Sequence, residues 1–536
     1  MKEILKTLKN TFGHDDFRHG QREMVQTLLS GKDAFGIMPT GAGKSICYQL
    51  PALMMDGITI VISPLISLMK DQVMALKSMG VPAAYLNSSL TAWQQNEAIR
   101  RATLNTYRII YVAPERLEVP SFLNFATNAK LAMIAVDEAH CVSQWGQDFR
   151  PSYLHIANFI DKLPKRPVVG AFTATATKKV QEDVVSLLKL QSPLRITTGY
   201  DRPNLYFSCY KPTDKKAYLV DFVSQRASQS GIIYCQTRKA VEEVCFMLKS
   251  MNFPVTRYHA GLDDNERMQN QEDFRFDRAK IMVATNAFGM GIDKSNVRYV
   301  VHYNMPKDLE SYYQEAGRAG RDGADSICVL LYHSRDYFTA KWMIENSEDH
   351  PDFTKEQQDK RIAHDLERLR QMMNYTNSTT CLRNAILRYF GEYNTKPCMA
   401  CSVCNKESLV IDTGVPYTIP NKATRKTRRE EKRLSASSHT PLHDKTIRWT
   451  AWEKAQFNNL KELRYLLSQN LRLPAYLIFS DSTLQNMINR RPKSLQEFLE
   501  VSGVGEAKQK RFGPVFLAVL KDGKEPNEAI FEFFEG

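Results

Sequence analysis

Short runs of apolar, largely β-branched residues recur through the first two thirds of the chain. Each leads into polar or glycine-rich residues and then into a helical pattern. In order they are Ala34–Met38, Ile58–Ile62, Arg108–Val112, Leu131–Val136 and Val168–Phe172. After a break near Gly199–Arg202 come Gly231–Cys235, Lys280–Ala284, Tyr299–Tyr303 and Ile327–Tyr332. Runs this apolar, alternating with helices, predict parallel sheets covered on both faces. The pattern is that of two α/β domains in series with a hinge around residue 200. From about Tyr337 helical patterns replace the strands. Residues 405–450 lose apolar periodicity, and the stretch Lys422–Arg433 with the serines after it reads as a basic, mobile linker. From Trp449 an amphipathic helical pattern resumes, enough for a small all-α domain. The predicted boundaries are 1–200, 201–340, 341–410, 411–450 and 451–536, with no repeat of solenoid period.

Composition narrows this picture. A chain of 536 residues exceeds one ordinary core. Its 43% hydrophobic and 24% charged residues are a globular balance. No apolar run approaches the ~20 residues of a membrane span, and charges run through the first residues, where a secretory segment would be apolar. A cytoplasmic protein without membrane partners is expected, nucleoid-associated if the source is prokaryotic. The net charge of +13 favours a polyanionic partner. Six of the 10 cysteines are scattered singly, while Cys381, Cys398, Cys401 and Cys404 crowd together. That spacing is suited to a metal rather than to disulfides.

The first apolar run enters Pro39-Thr40-Gly41-Ala42-Gly43-Lys44-Ser45. Glycines let the backbone curl so that its N–H groups face phosphate oxygens, with a helix N-terminus behind them. Lys44 can reach β/γ-phosphates and Ser45 can bind Mg²⁺. The strict phosphate-loop pattern fails at its first position, Met38, and a glycine-rich turn opening an ordinary helix is the plainer reading. The fourth run ends in Asp137-Glu138-Ala139-His140. Asp137 would sit in the Mg²⁺ shell, Glu138 would deprotonate water, and His140 would sense the neighbouring site. In Gln314–Arg321 a continuous helix would put Gln314, Arg318 and Arg321 on one face, suited to a triphosphate held by the other domain. The spacing does not rank the two arginines as fingers. After the acidic run, Trp145 and Phe149 offer stacking faces and Arg150 a charge for phosphate. The plainer reading of Trp145 is a core anchor. The four clustered thiols suit tetrahedral zinc, and an iron–sulfur cluster is the chemical alternative.

Together these stretches resemble the RecQ family of DNA helicases, within superfamily 2. The resemblance covers nearly all of the first 410 residues. It includes Phe17-Arg18-His19-Gly20-Gln21, Ser63–Leu68, Tyr111–Arg116, Thr173-Ala174-Thr175, Tyr258–Leu262 and Ala284–Lys294. Cys141–Pro151 resembles the family's aromatic-rich loop, which connects DNA binding to hydrolysis. The resemblance implies two tandem RecA-like domains, then a helical zinc module and an HRDC-like helical bundle. It implies ATP bound by Arg18, Gln21, Thr40, Gly41, Ala42, Gly43, Lys44 and Ser45, with Gln21 reading the adenine. It also implies Mg²⁺ at Ser45 and Asp137, and structural Zn²⁺ at the four cysteines. The implied activity is an ATP-dependent 3′→5′ DNA helicase of repair and recombination. Its partners would be single-stranded and tailed duplex DNA and a single-stranded-DNA-binding protein. Only residues 405–450 separate the zinc module from the bundle, too short and polar an interval for the winged helix of many relatives. A DNA-stimulated translocase that unwinds weakly, or an RNA helicase, is therefore the alternative. In the bundle, the Gly503-Val504-Gly505 turn with Lys508, Lys510 and Arg511 is suited to phosphate. A plain turn between packed helices serves the same sequence.

Overall fold

The computed structural model describes residues 1–146, 148–288, 294–347, 354–394, 396–413 and 449–535. The basic stretch Lys422–Arg433, the interval expected to lack a winged helix, and Gly289–Asp293 of one family-like motif lie largely or wholly outside these residues.

The first domain is a seven-stranded sheet of β1 (Ala34–Ile37), β2 (Ile58–Ile62), β3 (Ala83–Leu86), β4 (Ile109–Val112), β5 (Leu131–Val136), β6 (Val168–Thr173) and β7 (Leu194–Thr197). Its spatial order is β3-β4-β2-β5-β6-β1-β7, with every pairing parallel. The second sheet holds β8 (Leu205–Pro212), β9 (Ser230–Tyr234), β10 (Val255–Tyr258), β11 (Ile281–Ala284), β12 (Val297–His302), β13 (Ser326–Leu331) and β14 (Val410–Ile411). Its order is β10-β11-β9-β12-β13-β8-β14, again parallel throughout. All nine strands expected from apolar runs are present within a residue or two. The five that the pattern did not reveal are β3, β7, β8, β10 and β14. Four of these are sheet edges, where one side lacks a partner and polar residues such as Arg195 and Thr256 are tolerated.

The cysteine-bearing helical module is zipped onto the second sheet. Phe207 of β8 donates to the Ala400 carbonyl at 3.3 Å and accepts from the Ser402 amide at 2.9 Å. Its long helix, Lys355–Thr376, starts at a Thr354/Gln357 capping box. The hinge is held from the same module. Tyr200 stacks on Phe390 at 4.4 Å, and the Tyr200 amide donates to Glu392 at 2.8 Å. Arg383 reaches Asp201 and the Arg202 carbonyl, each at 2.6 Å.

The C-terminal bundle buries its own core, including Leu463, Phe479, Phe498 and Phe516. It also rests on both α/β domains. The Gly503 amide donates to the Gly13 carbonyl at 2.9 Å, and Gln469 reaches the Phe276 carbonyl at 3.5 Å. A Cβ at Gly13 would lie 2.6 Å from the Val504 nitrogen, and one at Gly505 would lie 2.7 Å from the Thr11 carbonyl. The glycines of this turn thus allow backbone to meet backbone. The turn is occupied by the first domain rather than held open for phosphate.

Candidate nucleotide site and metal centre

The phosphate loop leaves β1, Asp137 leaves β5 and Thr173 ends β6, and these three strands are neighbours. Parallel pairing therefore brings their carboxyl ends together, as expected of ligand sites in such sheets. Gly41 and Gly43 both take φ of +85°, which admits the curl of the loop. A Cβ at Gly43 would strike the Gln21 amide at 2.5 Å. Gln21 is buried and donates to the Ala42 and Gly43 carbonyls at 3.0 and 3.1 Å, while accepting from the Arg18 amide at 2.8 Å. Arg18 itself donates to the Gly41 carbonyl at 2.5 Å. Both residues therefore brace the loop.

Lys44 opens the helix Lys44–Met54 and donates to the Met38 carbonyl at 3.0 Å. Burial pulls its ammonium below the usual lysine range, opposed by Glu138 and Asp137. Asp137 is buried, and desolvation followed by the charge of Glu138 pushes its carboxyl up to about 7, with Lys44 opposing. Glu138 sits at φ +47°, a left-handed turn that a non-glycine residue adopts at some cost. That turn directs its carboxylate back to within 3.4 Å of His140 Nδ1. The same ring nitrogen meets Thr173 Oγ1 at 2.8 Å, and Thr173 donates to the Thr175 carbonyl at 3.0 Å. Burial lowers the basicity of His140. The expected Thr-Ala-Thr segment is thus one hydrogen bond from the histidine beside Glu138.

A cavity of about 330 Å³ between the two α/β domains brings the halves together. From the first domain it takes Arg18, Thr40, Gly41, Gly43, Lys44, Ser45, Asp137 and Glu138, and from the second Gln314, Arg318 and Arg321. The expected single helix face carrying the last three is not present. The helix Leu309–Ala316 stops short of both arginines, and Gly317 caps it. Gly320 then turns at φ +57°. Two glycines in four residues end a helix sooner than they lend it close approach. Arg318 is buried beside Tyr234.

The four expected metal ligands converge. The sulfurs of Cys381, Cys398, Cys401 and Cys404 all lie within 4.8 Å of one another. Backbone amides of Asn384, Ala400 and Cys404 donate to the sulfurs of Cys381, Cys398 and Cys401 at 3.5, 3.3 and 3.4 Å. A tetrahedral ion with sulfurs at ~2.3 Å needs such spacing, and amide donors favour thiolates.

The aromatic loop is anchored rather than loose. Lys179 Nζ lies 3.2 Å from the centroid of the half-buried Trp145 ring. The ring of His364, on the long zinc-module helix, meets Trp145 edge-on at 5.3 Å. Phe149 is also half-buried. Arg150 does not extend a free charge for phosphate. It is engaged by Asp148 and by the Pro64 carbonyl, each at 3.0 Å, because an acidic neighbour two residues away competes for it.

Four family models match in chain order. They are DEAD/DEAH box helicase at 18–184, helicase conserved C-terminal domain at 214–323, RecQ zinc-binding at 334–405 and HRDC domain at 453–520. The ATP-dependent DNA helicase RecQ of Bacillus subtilis is 36% identical over 585 residues, spanning 96% of this chain and 98% of that one. The chain belongs to the RecQ helicase family. The corresponding Haemophilus influenzae protein is 34% identical over 608 residues, covering 97% of this chain and 96% of its own. Both alignments are longer than this RecQ chain of 536 residues, so each relative carries residues with no counterpart here. Among solved structures, the helicase MrfA bound to DNA shares the fold at a TM-score of 0.52 and 20% identity, covering 68% of this chain and 54% of its own. Mss116p bound to ssRNA and AMP-PNP does so at 0.52 and 17%, covering 72% and 85%. These two likenesses concern the tandem RecA-like fold alone.

Family membership supports an ATP-hydrolysing helicase with a zinc-binding module, and the Cys₄ cluster fits Zn²⁺. Among the described residues no helix is long and apolar enough to cross a membrane. Sequence reasoning missed Arg202, Arg383, His364, Lys179 and His14. Arg202, Arg383, His364 and His14 act across domain boundaries, and nothing in their local sequence marks a partner more than a hundred residues away, while Lys179 meets Trp145 within the first domain. His14 lines the cavity, where burial and then the charges of Arg18 and Lys508 lower its pKa to about 4.

Proposed function

We propose that this RecQ-family protein hydrolyses ATP between its RecA-like domains to move 3′→5′ along single-stranded DNA and separate duplexes during repair and recombination. The observation that carries the reading is the cavity lined from one side by Lys44, Asp137 and Glu138 and from the other by Gln314, Arg318 and Arg321. A triphosphate there meets the loop amides and Lys44, and Ser45 and Asp137 are the residues that would hold Mg²⁺, which neutralises phosphate charge when bound. Glu138 takes the proton of the attacking water, with His140 beside its carboxylate and Thr173 hydrogen-bonded to that histidine. Arg318 and Arg321 neutralise charge that develops only in the transition state. Such a site works only when the domains meet, so a cycle of ATP binding and release becomes a cycle of closing and opening. The Trp145 loop lies a few residues after Glu138 and reports DNA to it. Several relatives are named ATP-dependent DNA helicases, and the +13 net charge suits a nucleic-acid partner. A single-stranded-DNA-binding protein is a fitting partner for the same substrate.

The test is unwinding of 3′-tailed, 5′-tailed and blunt duplexes with and without ATP. ATP-dependent separation of the 3′-tailed duplex alone supports the reading. Preference for a 5′ tail overturns the polarity, and ATP turnover stimulated by RNA but not DNA overturns the substrate.

A further inference from the structure

Arg202 lies in the hinge, between the two sheets, and its side chain is buried. It has no carboxylate partner among the described contacts. Its guanidinium is instead surrounded by backbone carbonyls of both domains. Nη1 donates to the Thr40 carbonyl of the phosphate loop and, at 3.4 Å, to that of Gly317. Nη2 donates to the carbonyls of Ala319 and Gly320 at 3.1 and 2.9 Å. Nε donates to Asn204 Oδ1 at 3.3 Å, and the Asn204 amide reaches the Gly320 and Ala324 carbonyls, each at 2.9 Å. Apart from Thr40 and Ala324, these carbonyls belong to the turn that follows the helix Leu309–Ala316 and carries Arg318 and Arg321. Buried carbonyls outside regular structure need donors, and the guanidinium supplies them.

The packing around this fork is close. A Cβ at Gly41 would lie 3.2 Å from Arg202 Nη1 and 3.5 Å from the Arg321 Cα, and one at Gly317 would lie 3.4 Å from the Thr40 Cβ. The phosphate loop and the arginine turn are thus in contact, with one guanidinium bonded to both. Its own backbone is fixed in turn. Arg383, two residues after the zinc ligand Cys381, holds the Arg202 carbonyl.

We propose that Arg202 is a positioning residue for ATP hydrolysis, a latch that sets Arg318 and Arg321 against the phosphate loop. This rests on the reading of those arginines as transition-state groups. The loop has other supports in Gln21 and Arg18. Loss of the latch therefore falls on the arginine turn and so on kcat rather than on ATP binding. A lysine keeps the charge but cannot present a planar fork to carbonyls on two sides.

The experiment is a double-mutant cycle of Arg202→Lys with Arg321→Ala, read as kcat and KM for DNA-stimulated ATP hydrolysis, with melting temperature as the check on folding. Arg202→Lys is expected to lower kcat by about 30-fold and leave the KM for ATP within about threefold. In the Arg321→Ala background the same change should cost clearly less than the about 30-fold seen alone, leaving only the part that runs through Arg318, since a latch acts through what it holds. Near-normal kcat in Arg202→Lys, or a full and independent loss in both backgrounds, overturns the latch. If Arg321→Ala alone keeps normal kcat, the transition-state reading of Arg321 fails instead. Should Arg202→Lys not fold, Asn204→Ala decides: a several-fold drop in kcat at unchanged KM supports the latch, and wild-type kinetics overturn it.

Discussion

On the first domain the groups proposed for catalysis follow the ends of neighbouring parallel strands, and the sheet itself fixes the spacing of the segments that carry Lys44, Asp137 and Thr173. On the second domain Gln314 sits on a helix, but Arg318 and Arg321 lie beyond its end on a glycine turn whose carbonyls are bonded by the hinge residue Arg202. One half of the cavity is thus built by strand pairing and the other by a turn braced from the hinge. The difference teaches where control can act. The sheet-built half keeps its geometry within one domain, whereas the arginine turn is tied to it through Arg202.

The comparison is broken most severely by changes in the sheet-built half. Glu138→Gln should keep nucleotide binding while DNA-stimulated hydrolysis falls by about 10²–10⁴, the range for loss of a general base. Lys44→Ala should abolish turnover and leave single-stranded DNA affinity within a few-fold, checked by titration of labelled DNA. Normal hydrolysis by Glu138→Gln would assign the base elsewhere.

The zinc-binding module touches the hinge that braces the other half. Metal analysis should find one zinc per chain, and Cys401→Ser should lower the melting temperature and turnover together, because local folding and metal binding are linked. Turnover falls as well because Arg383, two residues after the ligand Cys381, holds the hinge at Asp201 and Arg202. Iron in place of zinc, or unchanged turnover after metal loss, would contradict this link.

Trp145→Ala sharpens the comparison, since Trp145 touches Lys179 of the first domain and His364 of the zinc module. DNA stimulation should fall severely while DNA affinity falls by no more than the ~1–3 kcal/mol of one stacked base. If basal turnover and melting temperature drop together and the folded fraction remains fully stimulated, the ring is an anchor only.

The smallest effect is of pH. His14 is held near 4 in the folded chain against about 6.5 unfolded. Its folded pKa is depressed, so the unfolded state binds more protons between those values. Stability is therefore lost as pH falls from 6.5 toward 4, by about 1 kcal/mol at pH 5.5. His14→Gln should flatten that part of the stability profile in denaturant titrations.

The same contrast decides what the sequence made legible. The central strands are continuous apolar runs because they are buried on both faces, and the phosphate loop, Asp137 and the four cysteines follow local spacing rules. These were readable. The edge strands were not, because exposure on one side lets polar residues into them. The arginine turn was read as a helix because its 3–4 residue spacing matches one, whereas Gly317 and Gly320 end it. Arg202 and Arg383 bind partners far along the chain, and no local pattern encodes that. Spacing offers Arg150 as a charge for phosphate, whereas its neighbour Asp148 holds it.

The most direct measurement of the two-half account is the DNA-stimulated turnover of Arg321→Ala as a function of ATP concentration. The account predicts a kcat lower by about 100-fold or more with a KM for ATP close to that of the unmodified protein. A KM raised about tenfold at near-normal kcat would contradict it, because the second half would then be binding nucleotide rather than completing the site for its transition state.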